Sequence, residues 1–144
     1  MPITAEHVGR SYPPTPAYPV GQAKIEEFAT ALGERNPVHH GPDAVAPPTF
    51  AFVISSAAWQ QLFDDEELGL ALHRILHADQ KFSFVRPIRT GDRITATLTI
   101  ASVRQRGGAD MVGTEVLLRD EDGAEVATVT ATLLHAHPAE EETA

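Results

Sequence analysis

Pro48-Thr49-Phe50-Ala51-Phe52-Val53-Ile54-Ser55-Ser56-Ala57-Ala58-Trp59-Gln60-Gln61-Leu62-Phe63 reads as one helix, from Pro48 to about Phe63. Pro47 and Pro48 stand at its start, where a missing N–H costs little. Phe50, Val53, Ile54, Ala57, Ala58 and Leu62 make a broad apolar stripe, and Ala51, Phe52 and Trp59 leave little of the remaining circumference polar. A helix of this kind needs cover on most of its sides. The acidic run Asp64-Asp65-Glu66-Glu67 closes it as a solvated turn.

The cover lies downstream, where the period changes to two. Phe82 and Phe84 alternate with Lys81 and Ser83; Ile94, Ala96, Leu98 and Ile100 with threonines; Val112, Val116 and Leu118 share a face; Ala127, Val129, Ala131 and Leu133 alternate with Thr128, Thr130 and Thr132. Such alternation marks half-buried strands. Thr90-Gly91-Asp92, Gly107-Gly108 and Asp122-Gly123 carry hairpin turn chemistry, so four strands are expected to pair as an antiparallel meander or a close relative. One covered helix followed by a long antiparallel sheet predicts an α+β chain with the sheet wrapped around the helix, the hotdog arrangement, with about five strands. An open α+β sandwich satisfies the same periodicity.

Upstream, Gly9 to Val20 holds four prolines, which forbid helix and predict an extended segment draped over the domain, with Tyr18 and Val20 as a short edge strand. From Ala23 to Leu32, the residues Ile25, Phe28, Ala29 and Leu32 recur at amphipathic helix spacing, and Gly33 is a natural stop. The stretch Gly33-Glu34-Arg35-Asn36-Pro37-Val38-His39-His40 then puts a carboxylate, an amide and an imidazole within six residues, just ahead of the long helix's N-terminus. Free N–H groups and the helix dipole favour developing negative charge there, as acid/base chemistry on a carbonyl compound requires. By itself the same string also reads as a helix stop followed by an Asn-Pro turn.

The composition narrows the options. At 144 residues with 42% hydrophobic content, the chain has room for one substantial core. A net charge of −9 argues against a nucleic-acid footprint and against attraction to an anionic membrane. With no cysteine, disulfides, thiol catalysis and cysteine-bound metal are excluded. No stretch approaches the ~18 apolar residues of a membrane span, and the first residues lack a signal-peptide core, so a cytoplasmic protein is expected. Residues 1–137 are assigned to one hotdog domain and 138–144 to an acidic, disordered tail.

The string from Gly33 to His39 resembles the Gly-Asp-x-Asn-Pro-aliphatic-His signature of MaoC-like (R)-specific enoyl hydratases and (3R)-hydroxyacyl dehydratases, which are hotdog proteins. Val8 to Pro14, Ala46 to Phe50, His77 to Phe82 and Arg86 to Asp92 look like the HadA-type subunits of actinobacterial dehydratases, also described as MaoC dehydratase N-terminal domains. The likeness runs in one order to about His137. It implies reversible loss of water from a (3R)-3-hydroxyacyl thioester carried on acyl carrier protein or coenzyme A, with no cofactor. It also implies either a homodimer or a heterodimer with a catalytic MaoC-like partner. By position, Glu34 and His39 take the acid/base roles, Asn36 helps hold the substrate, and the Thr49 N–H serves the thioester oxygen. Phe50, with Phe52 and Trp59, either lines an acyl tunnel or packs the helix.

Two departures from the family pattern stand out. Glu34 replaces the usual Asp, displacing the carboxylate by about 1 Å, a shift able to cost ~10²-fold where geometry is tight. Only Gly41 to Val45 separate His40 from Ala46, a shorter segment than in the resembling proteins. Members of the HadA-type branch often lack the acidic/His pair and lend an acyl tunnel to a catalytic partner, so a non-catalytic acyl-binding subunit is the alternative function. His39-His40, His73-x-x-x-His77 and His135-x-His137 have no third ligand at recognised spacing, and no metal is predicted. Arg86, Arg89 and Arg93 either meet a ligand phosphate or acidic carrier, or are solvated strand-end charges. A hotdog thioesterase ranks last, since Ile54 to Ala57 offers no carboxylate.

Overall fold

The computed structural model describes residues 2–139. The expected acidic tail falls outside them from residue 140 onward. Two α-helices, α1 (Gln22–Ala31) and α2 (Phe50–Asp64), accompany five strands: β1 (Tyr18–Pro19), β2 (Ile75–Phe84), β3 (Arg93–Arg106), β4 (Ala109–Arg119) and β5 (Glu125–Ala136). All pairings are antiparallel, and the sheet order is β1-β3-β4-β5-β2. The sheet curls with α2 packed against it, so the hotdog architecture is the one realised.

Each element has a local cause. In α1 the buried residues are Ile25 and Ala29; the chain then reverses at Gly33, whose φ of +72° suits glycine, with its N–H on the Thr30 carbonyl at 3.0 Å. The face of α2 that carries Phe50, Ala51, Ile54, Ser55, Ala58 and Leu62 is buried against Leu98, Ile100, Val116 and their neighbours on the sheet's inner face. Burying each large aliphatic side chain there contributes roughly 1.5–3 kcal/mol. On the other side of α2, Phe52 stacks on His77, ring centroids 5.5 Å apart, and Trp59 meets the same imidazole edge-on at 5.2 Å. That side is therefore only half-covered.

Gly107-Gly108 and Asp122-Gly123 form the β3–β4 and β4–β5 hairpins, and Asp120 caps the second by accepting the N–H groups of Asp122 and Ala124, each at 3.0 Å. Thr90-Gly91-Asp92 behaves differently. The strand before it, β2, does not pair with β3 but crosses to the far edge beside β5, from Ile75 opposite His135 to Phe84 opposite Ala127. The meander is thus three strands with a detached fourth. The freed turn bonds to other segments: the Thr90 N–H reaches the Ala44 carbonyl (3.0 Å), the Gly91 N–H the Val20 carbonyl (2.9 Å), and the Ala46 N–H the Ile88 carbonyl (2.8 Å). This pins the segment ahead of α2 to the segment after β2. Among the described residues no helix is long and apolar enough to cross a membrane.

Candidate active site

A pocket of about 380 Å³ opens at the N-terminal end of α2. His39, Val45 to Pro48 and Phe84 to Ile88 line it, so its walls are the two segments that the fold pins together. Its size lies within the range of small-molecule sites, and its lining is mostly apolar with one imidazole, the usual pattern of such sites.

His39 closes a single 3-10 turn, Pro37–His39, started by Asn36, whose side-chain oxygen accepts the Val38 N–H at 3.0 Å. The turn rotates His39 inward, leaving it 8% exposed. Its Nδ1 lies 2.6 Å from the Val45 carbonyl oxygen. A carbonyl only accepts, so Nδ1 carries the proton and, in the neutral ring, Nε2 keeps its lone pair. Tautomer and orientation are fixed by one backbone atom, and the Val45 N–H returns to the Val38 carbonyl at 2.8 Å.

The other sequence-predicted residues are only partly brought to this point. Glu34 is exposed and folds back onto its own turn, accepting the Asn36 N–H at 3.0 Å. It lines a separate depression with Thr30, Gly33, Arg35 and His40. Asn36 is spent on capping the turn. The Phe50 ring is wholly buried between Phe28 and Tyr18, at centroid distances of 5.4 and 6.1 Å. Thr49 is exposed at the helix start. There the N–H groups of Phe50, Ala51 and Phe52 turn back onto the carbonyls of Pro47, Pro48 and Thr49, whereas the Thr49 N–H has no such bond among the described residues. With Phe28, Leu32, Phe52, His77, Gln80 and Phe82, Thr49 borders an apolar groove of about 430 Å³.

Glu26, which the sequence did not single out, and Arg86, which it read as a ligand-facing or solvated cation, hold the site in place. Glu26 on α1 accepts the Gly41 N–H at 2.8 Å, which anchors the loop after His39 and, with the Gln22 amide, holds the Glu26 carboxyl below its ordinary range. Arg86 is held by Asp92 (2.8 and 3.1 Å) and Asp120 (3.3 Å), and its pKa is raised by the Asp92 hydrogen bonds first. It braces the 86–92 turn, so its guanidinium is occupied within the fold. Arg86 carried the right signal, a cation in a run flanked by Asp92, but its partners are set by a strand crossing that composition does not display.

Chemically, the pocket offers a fixed imidazole base and apolar walls, while the unbonded Thr49 N–H lies at the helix start beside it, on the border of the neighbouring groove. The pocket does not contain a carboxylate from the described residues.

Residues 6–129 match the family described as "FAS1-like, dehydratase domain region". A UPF0336 protein of Cutibacterium acnes is 49% identical over 96% of this chain and 97% of its own length. Among solved structures, the C-terminally truncated HadBC (3R-hydroxyacyl-ACP dehydratase) complex of Mycobacterium tuberculosis matches with a TM-score of 0.79 at 29% identity, over 89% of this chain and 96% of that one. A MaoC-like dehydratase matches with a TM-score of 0.82 at 26% identity, over 91% of this chain and 42% of that one.

Proposed function

Because the chain belongs to the FAS1-like dehydratase-domain family, and so to the MaoC-like hotdog dehydratases and hydratases, we propose that it is a subunit of a (3R)-3-hydroxyacyl thioester dehydratase whose site is completed by a second chain. The supporting observation is the His39 imidazole, locked by Val45 with Nε2 free, in an apolar pocket at the start of α2. In the dehydrating direction Nε2 takes the α-proton from carbon. The thioester oxygen, gaining enolate charge, is met by the Thr49 N–H, and the β-hydroxyl leaves as water when an acid protonates it. Glu34 faces its own depression, so that acid comes either from a movement of Glu34 or from the partner chain.

The placement of Glu34 also favours the second reading, a subunit that binds the acyl chain while its partner supplies acid and base. The groove beside Thr49 and Phe52 is where an acyl chain would lie, and it is open along the outer side of β2. Pairing of that edge with a second copy or a related chain would close it. A thioester on coenzyme A or acyl carrier protein is the substrate under either reading, in a cytoplasmic fatty-acid type of metabolism.

The test is hydration of a short trans-2-enoyl thioester by the protein alone and co-expressed with a MaoC-like partner bearing the intact motif. His39→Ala should lower turnover by about 10²–10⁴-fold without loss of circular-dichroism signal. Glu34→Gln should change it only a few-fold if the partner provides the acid; a loss as large as that of His39→Ala would assign Glu34 as the acid. Absence of turnover in every combination would sink both the dehydratase and the acyl-binding readings while leaving the fold intact.

A further inference from the structure

An exposed imidazole on the open edge strand is held in one orientation from several sides. The Thr130 carbonyl accepts from the Gln80 amide nitrogen at 2.9 Å, which fixes that amide and turns its Oε1 toward His77. An amide oxygen only accepts, so His77 Nε2, 2.9 Å away, carries a proton and donates it. The face of the imidazole lies on Phe52, with centroids 5.5 Å apart and planes 20° from parallel, and Trp59 meets it edge-on at 5.2 Å. Phe52 and Trp59 also meet each other, at 5.6 Å and 84°. The three rings form a closed triangle between α2 and β2, in geometries that aromatic pairs favour. It sits beside the irregularity in β2 between His77 and Asp79, the kind of bulge that re-aims a side chain. Fixing an exposed side chain costs rotamer entropy, so an arrangement of this kind calls for a use.

The triangle stands at one end of the apolar groove of about 430 Å³ that Thr49 borders. Phe52 and His77 line that groove, whereas Trp59, seven residues further along α2, does not, so its indole backs the other two rings. At its other end the groove adjoins the His39 pocket: Phe82 lines the groove, Phe84 lines the pocket, and their rings are stacked with centroids 6.3 Å apart. Among the described residues no carboxylate, ammonium or guanidinium lines the groove, which suits a hydrocarbon chain. A thioester whose oxygen meets the Thr49 N–H and whose chain runs along the groove comes up against Phe52 and His77 early. Thr49 and Phe52 are one helical turn apart, ~4.5 Å along the axis, the span of three or four C–C bonds of ~1.5 Å.

We propose that the Phe52–His77–Trp59 triangle is the end wall of the acyl groove and restricts the substrate to short-chain thioesters of about four carbons, with His77 as the residue that sets the limit. This wall presupposes the thioester reading of the site and adds to it the length of the acyl chain.

The experiment uses butyryl- and octanoyl-pantetheine, which have neither a β-hydroxyl nor a double bond and so bind without reacting. Trp59 is the chain's one tryptophan, and its fluorescence reports on the wall directly. The full-length wild type should show a saturable change with the butyryl thioester and bind the octanoyl one at least about 10-fold more weakly. His77→Ala removes the exposed ring and should tighten octanoyl binding by about 10²-fold, with little change for butyryl. His77→Phe keeps a flat ring on Phe52 and should discriminate as the wild type does. If His77→Ala fails to fold, Gln80→Leu carries the test, since it frees the imidazole without emptying the wall and should narrow the difference between the two chains. Hydration of trans-2-butenoyl and trans-2-octenoyl thioesters, run in parallel, separates the two ideas. Chain discrimination at Trp59 that depends on His77, without turnover, would sustain the wall and remove the dehydratase reading. Turnover with equal binding of both chains, or with discrimination unchanged in His77→Ala, would overturn the wall and leave the dehydratase reading standing. No saturable change with either thioester would also overturn the wall.

Discussion

The two edges of the sheet are treated in opposite ways. Along β3 the proline-rich N-terminal segment acts as an extra, irregular strand: the N–H groups of Gly9, Tyr12 and Thr15 bond to the carbonyls of Ile100, Leu98 and Ala96, and Thr15 Oγ1 accepts the Ala96 N–H. Pro13, Pro14 and Pro16 offer no N–H of their own, so nothing further can add to that side. Tyr12 and Arg10 then fasten the segment to the end of α2 through Asp65, at 2.5 and 2.8 Å. Along β2 no segment of the described chain covers the outer side, and Leu76 (68% exposed) and Val85 (71%) project from it or from just beyond its end. One edge is finished within the chain; the other is left open among the described residues, and it borders both the His39 pocket and the apolar groove.

The strongest way to break this contrast is to put charge on the open edge. Leu76→Lys with Val85→Lys should weaken self-association or partner association by about 10²–10⁴-fold, since each apolar side chain buried in an interface contributes roughly 1.5–3 kcal/mol. Sedimentation at micromolar concentration would measure it, with the monomer's melting temperature nearly unchanged. A wild-type protein that is monomeric at those concentrations, alone and with a MaoC-like partner, would mean that the open edge is not an interface.

On the closed edge the effect should fall on folding instead. Tyr12→Phe removes a hydrogen bond to a charged carboxylate and should lower stability by about 1.5–3 kcal/mol, read by urea denaturation, while association stays as in the wild type. If Tyr12→Phe were neutral, the N-terminal segment would be a loose cover rather than a fastening.

The closed edge, both helices and the meander strands were legible in the sequence because each depends on local pattern. Pro48 to Phe63 became Phe50–Asp64, and Ala23 to Leu32 became Gln22–Ala31, with boundaries shifted by a residue or two where caps rather than periodicity decide. The partner of β2 was not legible. Thr90-Gly91-Asp92 signals a turn, but which segments the turn bonds to is a tertiary matter. The candidate site divides in the same way. His39 was readable as a helix-start imidazole, yet six residues containing Glu34, Asn36 and His39 did not become one constellation, because the Asn36 cap starts a turn that sends His39 inward and leaves Glu34 outside. Asp110 had a visible signal, a carboxylate in phase with Val112, Thr114 and Val116 on an inward-facing register, and that signal is a better pointer to a buried polar group than the neighbouring histidine pair.

The smallest expected effect is a pH dependence that separates the two edges. His135 sits opposite Ile75 at the start of β2, on the open side, and burial lowers its pKa from the ordinary 6.5. An imidazole that resists protonation when folded binds fewer protons than the unfolded chain does. Its stabilising contribution is therefore complete above pH 6.5 and is lost as pH falls from there toward the folded value, by at most ~1.4 kcal/mol per pH unit. Asp65 works in a different window: the Tyr12 hydroxyl first, then Arg10, hold it below its ordinary 3.8, so its contribution persists until pH falls below 3.8. Between pH 6.5 and about 4 the β2–β5 pairing near His135 should loosen while the bonds from Gly9, Tyr12 and Thr15 to β3 keep their strength. Amide exchange, converted to protection factors at each pH, would show protection falling at Leu76 and His77 but not at Tyr12. His135→Gln should flatten that dependence on the open side alone. Equal loss of protection at both edges over this range would mean that the sheet opens as one unit and that the difference between its edges does not extend to stability.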